Sequence, residues 1–108
     1  MTKYFLIESN DPWESGAVAQ HFELAHGLAT AGNEVTLFLV QNGVLPSRAS
    51  SQHESLGRLT TAGVTLLADA FSLRERGIPQ KSVAADVRPA ELDVVVDALA
   101  AGTKTVWL

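Results

Sequence analysis

The sequence contains no cysteine among its 108 residues. A disulfide, a thiolate metal site and catalysis by a thiol are therefore excluded. Long hydrophobic runs are also missing: stretches such as Val35–Val40 are far below the roughly 18 residues that a membrane-spanning helix needs. The first residues lead directly into a strand-like run without a small-residue cleavage site. We therefore expect no signal peptide and a cytoplasmic location.

Positive charge is scarce as well. Eight Lys and Arg residues stand against twelve Asp and Glu residues, which gives a formal net charge of −4. Nucleic acids and anionic membranes both attract a basic face, so neither is an expected partner. Apolar residues make up 46% of the chain, which is ample for a core. The length predicts one domain over residues 1–108.

The usual motifs of cofactor and metal sites do not occur. Neither a G-x-G-x-x-G nor a Walker-type phosphate loop is present, and there is no G-x-S-x-G nucleophile elbow. His21 and His26 are five residues apart and lie on different sides of a predicted helix, while His53 is distant in sequence. We therefore expect neither a metal nor a cofactor.

Strand and helix patterns alternate along the chain. Apolar runs predict strands at Tyr4–Ile7, Val35–Val40, Val64–Ala68 and Thr103–Leu108. Helical spacing and terminal glycines predict helices at about Gly16–Ala31, Gln52–Ala62, Ala70–Arg76 and Pro89–Ala101. Residues 46–51 are predicted to form a loop. This order predicts an α/β fold, a flavodoxin-like three-layer sandwich with a mostly parallel sheet of four or five strands.

The last predicted helix has the clearest pattern. Pro89 is typical of a first helical turn. Four apolar residues recur at helical spacing and form one stripe, namely Leu92, Val95, Val96 and Leu99. Asp93 and Asp97 lie away from this stripe and predict the solvated side of the helix.

The sheet topology predicts where a ligand would bind. In parallel sheets the binding site lies beyond the carboxyl ends of the strands. That rule indicates the loops at residues 9–14 and 41–45 and the junction at Asp69. We therefore expect one cleft to collect Asp11, Trp13, Asn42, Gly43 and Asp69, with Arg76 near its mouth. Asn42-Gly43 is interpreted as a turn that requires a positive φ.

Several of these segments, taken in order, resemble the DsrE/DsrF-like family of sulfur-relay proteins. They are Ser9–Pro12, the alanine-rich first helix, Gly32–Leu39, Asn42–Val44, Gly63–Ile78 and Ala101–Gly102 before the terminal strand. The resemblance implies a compact sandwich that assembles into homotrimers, hexamers or mixed complexes with related subunits. It also implies that active members carry sulfane sulfur on a cysteine at the end of the third strand. Asp69 stands at that position here, so the resemblance implies a member without sulfur transfer of its own.

Asp69 is open to three interpretations. Asp is among the preferred N-cap residues, worth about 1 kcal/mol over Ala, so a plain helix cap is one. Contact with a ligand or a partner is the second, and a general acid or base is the third. Ser72, one helical turn further on, is expected to be exposed.

Three functions follow from these alternatives. The chain is a non-catalytic subunit that acts through oligomerisation or partner binding, a small-molecule binding protein, or an enzyme with Asp69 as general base. The missing thiol favours a protein that is not an enzyme. Trp107 on the short terminal strand needs cover that a neighbouring subunit could supply, which favours a homo-oligomer, a trimer or a multiple of it.

Overall fold

The computed structural model describes residues 1–108 and contains five strands and four α-helices. In chain order the elements are β1 (Lys3–Glu8), α1 (Ala17–Thr30), β2 (Glu34–Leu39), α2 (Glu54–Thr61), β3 (Thr65–Asp69), α3 (Ala70–Glu75), β4 (Val87–Ala90), α4 (Asp93–Ala100) and β5 (Lys104–Trp107). Short 3-10 segments occupy Gln41–Ser47, Ala49–Ser51 and Gln80–Ser82. No helix has both the length and the apolar character that crossing a bilayer would require.

The five strands form one sheet in the order β4-β3-β2-β1-β5, and every neighbouring pair is parallel. The most apolar strands, β1, β2 and β3, take the central positions, where both faces of the sheet are covered. Helical crossovers connect the strands, as parallel neighbours require. The predicted α/β fold with a parallel sheet is confirmed.

The two faces of the sheet are covered unequally. One face belongs to the main core of 18 buried residues, to which α1, α2 and α3 all contribute. The other face carries a smaller cluster of five buried residues, Phe5, Ile7, Phe38, Val40 and Leu67, against which α4 packs. An eight-residue helix is only about 12 Å long. The carboxyl edge of this second face is therefore left open.

Glycines end the first two helices as the sequence predicted. Gly32 follows α1 with a φ of +93°, and Gly63 follows α2 with a φ of +97°. In both cases the amide of the residue that follows turns back to the helix, because Asn33 N donates to Leu28 O and Val64 N donates to Leu59 O. Only glycine adopts this left-handed conformation without steric cost.

The prediction of a helix from Pro89 is wrong at its start. Val87–Ala90 forms β4, which pairs with β3 at the edge of the sheet, and α4 begins only at Asp93. An edge strand needs hydrogen bonds on one side only, so Pro89, which lacks an N–H, is tolerated there. A strand of four residues that contains a proline gives almost no pattern in the sequence.

The apolar stripe predicted for this helix is also largely wrong. Val94, Val95 and Ala98 pack on the smaller cluster. Leu92, Val96 and Leu99 are instead 56%, 64% and 60% exposed. The helix is apolar on more than one side, so helical periodicity alone does not select the side that meets the sheet. The predicted exposure of Asp93 and Asp97 agrees with the structure.

Candidate functional site

A cleft of about 760 Å³ lies at the carboxyl ends of the central strands, on the face that α4 covers. Its apolar lining comes from Ile7, Phe38, Val40, Phe71, Leu92, Val95, Val96 and Trp107. Its polar lining comes from Ser9, Asn10, Gln41, Asn42, Asp69, Ser72, Glu75 and Arg76. The cleft exists because α4 is too short to cover this edge of the sheet.

Asp69 ends β3 and caps α3. Its Oδ2 accepts hydrogen bonds from the backbone N–H of Ser72 at 3.1 Å and from the Ser72 hydroxyl at 2.6 Å. The residue is only 4% exposed, and its second oxygen, Oδ1, is buried without any hydrogen-bond partner. Asp69 is therefore a helix cap that uses one of its two carboxylate oxygens.

The unpartnered oxygen is costly for the fold. A buried acceptor without a partner destabilises a protein by about 1–3 kcal/mol, and more when it is charged. In this chain the oxygen belongs to a residue that lines the cleft. A group supplied from outside the chain would remove that cost if it donated a hydrogen bond to Oδ1.

Ser72 is buried, contrary to the expected exposure. It is 3% exposed, because α3 packs against the 3-10 segment Gln41–Ser47. The Ser72 hydroxyl donates to Asp69 and accepts from the backbone N–H of Gln41 at 2.8 Å. Ser72 therefore ties the end of β3 to the segment that follows β2, and it fixes the Asp69 carboxylate in one orientation.

Arg76 and Asn42 meet at the same cleft. Arg76 Nε donates to Asn42 Oδ1 at 3.0 Å, and Arg76 Nη1 donates to the Ser72 carbonyl at 3.3 Å. Asn42, Asp69 and Arg76 are the predicted site residues that the fold brings together. With Glu75, the ionisable lining consists of two carboxylates and one guanidinium, a formal net charge of −1.

Gly43 does not line the cleft. Glycine is required at this position, but not for the positive φ that was inferred from the sequence. The positive φ in this segment belongs to Gln41, at 52°, whereas Gly43 has none. A Cβ at Gly43 would stand 2.4 Å from the backbone oxygen of Glu8. Gly43 is therefore required by the close approach of two backbone segments.

Asp11 and Trp13 also lie outside the cleft. Asp11 is 6% exposed, and its Oδ1 accepts from the Trp13 backbone N–H at 3.0 Å, which stabilises the turn before α1. The Trp13 ring packs edge-on against His53, with 5.3 Å between ring centroids. The loop after β1 lines the cleft only through Ser9 and Asn10, so the expected convergence is wrong for Asp11, Trp13 and Gly43.

A hydrogen bond between the buried Glu8 at the end of β1 and His21 was not predicted from the sequence. Glu8 is fully buried, its Oε1 lies 2.5 Å from His21 Nδ1, and its Oε2 accepts from the backbone N–H of Asn10 at 3.1 Å. A carboxylate that ends an apolar strand is a signal that could have indicated this pair. Elsewhere, no group of three or more His, Asp or Glu residues is placed to hold a metal ion.

Comparisons with known proteins give a family and a fold. A sequence model of the DsrE/DsrF-like family matches residues 2–108. The ychN protein from E. coli is structurally similar with a TM-score of 0.88, 18% identity and complete coverage of both chains. A protein of unknown function from Methanobacterium thermoautotrophicum, MTH1491, has a TM-score of 0.82 at 18% identity, over 97% of this chain and 96% of its own. No curated protein sequence matches. The resemblance seen in the sequence is confirmed.

Proposed function

Since the chain belongs to the DsrE/DsrF-like family, we propose that it is a non-catalytic member that acts by assembly and by binding small ligands, without transferring sulfur. The observation that carries the proposal is Asp69, a buried residue of the cleft at the end of β3, where the resemblance assigns the cysteine of active members. A carboxylate cannot form a sulfane linkage, and the chain has no cysteine to replace it.

A sulfur-loading assay tests the first half of this proposal. The native protein, incubated with a low-molecular-weight persulfide, should show no gain in mass. In the Asp69→Cys variant the thiolate should attack the outer sulfur of the donor. The S–S bond of the donor then breaks, the outer sulfur stays on the cysteine, and the rest of the donor leaves as a thiolate. The variant should then gain the mass of one sulfur atom and lose it again with reductant. Loss of the cap should lower the free energy of unfolding by roughly 0.5–2 kcal/mol. Circular dichroism shows whether the variant is still folded.

A control cysteine on the same helix completes the assay. Arg74 is an exposed residue of α3 that lies outside the cleft, so Arg74→Cys offers a thiol without the surroundings of Asp69. We expect it to load more slowly than Asp69→Cys. Equal loading, or an inaccessible thiol in folded Asp69→Cys, would contradict the assignment of Asp69 to the sulfur-carrying position.

Assembly is supported by an apolar patch on the α4 face of the molecule. The patch consists of five large apolar residues that are 53–64% exposed, namely Phe71, Leu92, Val96, Leu99 and Trp107. Four of them line the cleft, and Leu99 continues the same side of α4. Apolar side chains gathered in this way are typical of an interface between proteins. We propose that this patch contacts further copies of the chain, or related subunits, in a trimer or a hexamer.

Light scattering at micromolar concentration tests the assembly. The native chain should have the mass of an oligomer, and Val96→Glu, which puts a charge into the patch, should reduce it to that of a monomer. Leu24→Glu is the matched control, because Leu24 is a 45% exposed apolar residue on α1, outside the patch. A monomeric native chain, or equal masses for the two variants, would refute this interface.

A further inference from the structure

The charge and the hydrogen-bonding state of the cleft indicate a class of ligand. We infer that the cleft binds a small apolar amine, whose protonated amino group donates to Asp69 Oδ1 while its apolar body packs on the sheet. The inference rests on the proposed ligand binding in this cleft and names the chemistry of that ligand.

The buried Oδ1 of Asp69 lacks a hydrogen-bond donor. Oδ2 already accepts two hydrogen bonds from Ser72, whereas Oδ1 has no partner in the chain and almost no contact with solvent. A carboxylate oxygen in such surroundings binds most strongly to a charged N–H donor, since charge-assisted hydrogen bonds are the shortest and strongest. Because Oδ1 is nearly covered, the donor must be small, and a neighbouring side chain must shift to admit it.

The sign of the charge in the cleft favours a cation over an anion. Arg76 is the only cationic residue of the lining, and it already donates to Asn42 and to the Ser72 carbonyl. The two negative charges of Asp69 and Glu75 exceed its single positive charge, so the formal net charge of the lining is −1. An anionic ligand would have to share the cleft with both carboxylates, whereas an ammonium group would balance the charge.

The apolar lining indicates an organic ligand. Phe38, Ile7 and Val40 lie at the buried side of the cleft, and the exposed Trp107 ring is part of the same lining. The cleft volume of about 760 Å³ is within the range of small-molecule sites. A bare metal ion needs several oxygen ligands at once, and no group of three or more Asp, Glu or His residues is placed to hold one.

The chain carries a built-in reporter for this test. Of the two tryptophans, Trp107 lines the cleft and Trp13 does not. In the Trp13→Phe variant, which keeps an aromatic ring beside His53, the tryptophan fluorescence therefore comes from Trp107 alone. Benzylamine, benzyl alcohol and benzoate are titrated at neutral pH and one protein concentration, because they share a ring and differ in charge. We expect benzylamine to bind at least about tenfold more tightly than the other two.

Two variants then distinguish the effect of the Asp69 carboxylate on binding from the effect of the net charge of the cleft. In Asp69→Asn the amide oxygen must accept from Ser72, so an N–H₂ group replaces Oδ1 and faces the incoming ammonium. We expect at least about a tenfold loss of benzylamine affinity, with the helix cap kept. Glu75→Gln removes the same charge from an exposed residue of the same cleft, and here we expect less than a threefold loss.

The possible outcomes distinguish this inference from the function on which it rests. Equal binding of benzylamine and benzyl alcohol, or equal losses in the two variants, would overturn the amine inference and leave ligand binding in the cleft intact. If none of the three probes binds up to its solubility limit, both the inference and the proposed small-ligand binding are wrong. The sulfur-loading result is independent of either outcome.

Discussion

Gly43 provides the sharpest test of the packing behind the cleft. Its Cα lies against the end of β1, and an added Cβ would be 2.4 Å from the Glu8 backbone oxygen and 3.2 Å from the Glu8 carbonyl carbon. Ordinary contacts at such a position begin near 3.4 Å. In Gly43→Ala the two backbone segments must therefore separate by about 1 Å, because no side-chain rotation relieves a clash with a carbonyl oxygen.

The cost follows from what holds the Glu8 carbonyl in place. That oxygen accepts the backbone N–H of Val40 at 2.9 Å, so moving it by 1 Å weakens a hydrogen bond worth about 1 kcal/mol. Strain from overpacking adds about 1–3 kcal/mol. Alanine also lowers the conformational entropy of the unfolded chain, which offsets about 0.4–1 kcal/mol of this loss of stability. We therefore expect Gly43→Ala to lower the free energy of unfolding by about 1–3 kcal/mol.

Chemical denaturation at a fixed protein concentration measures this change, with Gly27→Ala as the control. Gly27 lies inside α1, and a Cβ there would meet nothing within 4 Å. The same substitution should therefore stabilise the protein by about 0.5–1 kcal/mol, since alanine favours a helix over glycine. If Gly43→Ala is as stable as Gly27→Ala, the close approach of the backbones is not required and the reasoning is refuted.

Four further substitutions, in two matched pairs, test polar groups at the ends of β3 and β1. Asp69→Ala should lower the free energy of unfolding by about 0.5–2 kcal/mol through loss of the cap to Ser72. Asp69→Asn should stay within about 0.5 kcal/mol of the native protein, because Asn can still cap the helix. An equal loss of stability in both variants would contradict the capping role of Asp69. Glu8→Ala should cost about 1.5–3 kcal/mol, because it leaves His21 and a backbone N–H without their buried partner. Glu23→Ala, which removes a carboxylate from an exposed ion pair with Arg58, should change stability by less than about 1 kcal/mol. Similar losses for Glu8→Ala and Glu23→Ala in thermal melts would argue against a structural role of the buried pair.

The local sequence was sufficient to predict most of the secondary structure. Apolar runs found β1, β2 and β3 because strands buried on both faces must be apolar throughout. Gly32 and Gly63 marked helix ends because a left-handed residue is needed there. Asp69 was recognisable as a possible cap because capping involves only the next three residues. The carboxyl-end rule found Asn42 and Asp69 for the cleft, since it depends only on strand direction.

Contacts between segments distant in sequence decided the rest. β4 becomes a strand because β3 offers it an unpaired edge, and Pro89 conceals this in the sequence. α4 is apolar on several sides, so its orientation depends on which side fits the cluster beneath the sheet. Gly43 owes its identity to the Glu8 carbonyl, 35 residues before it, and Ser72 is buried only because the segment after β2 covers it. Periodicity and capping act within a few residues, whereas close packing joins residues that the sequence keeps apart, and only the folded chain brings them together.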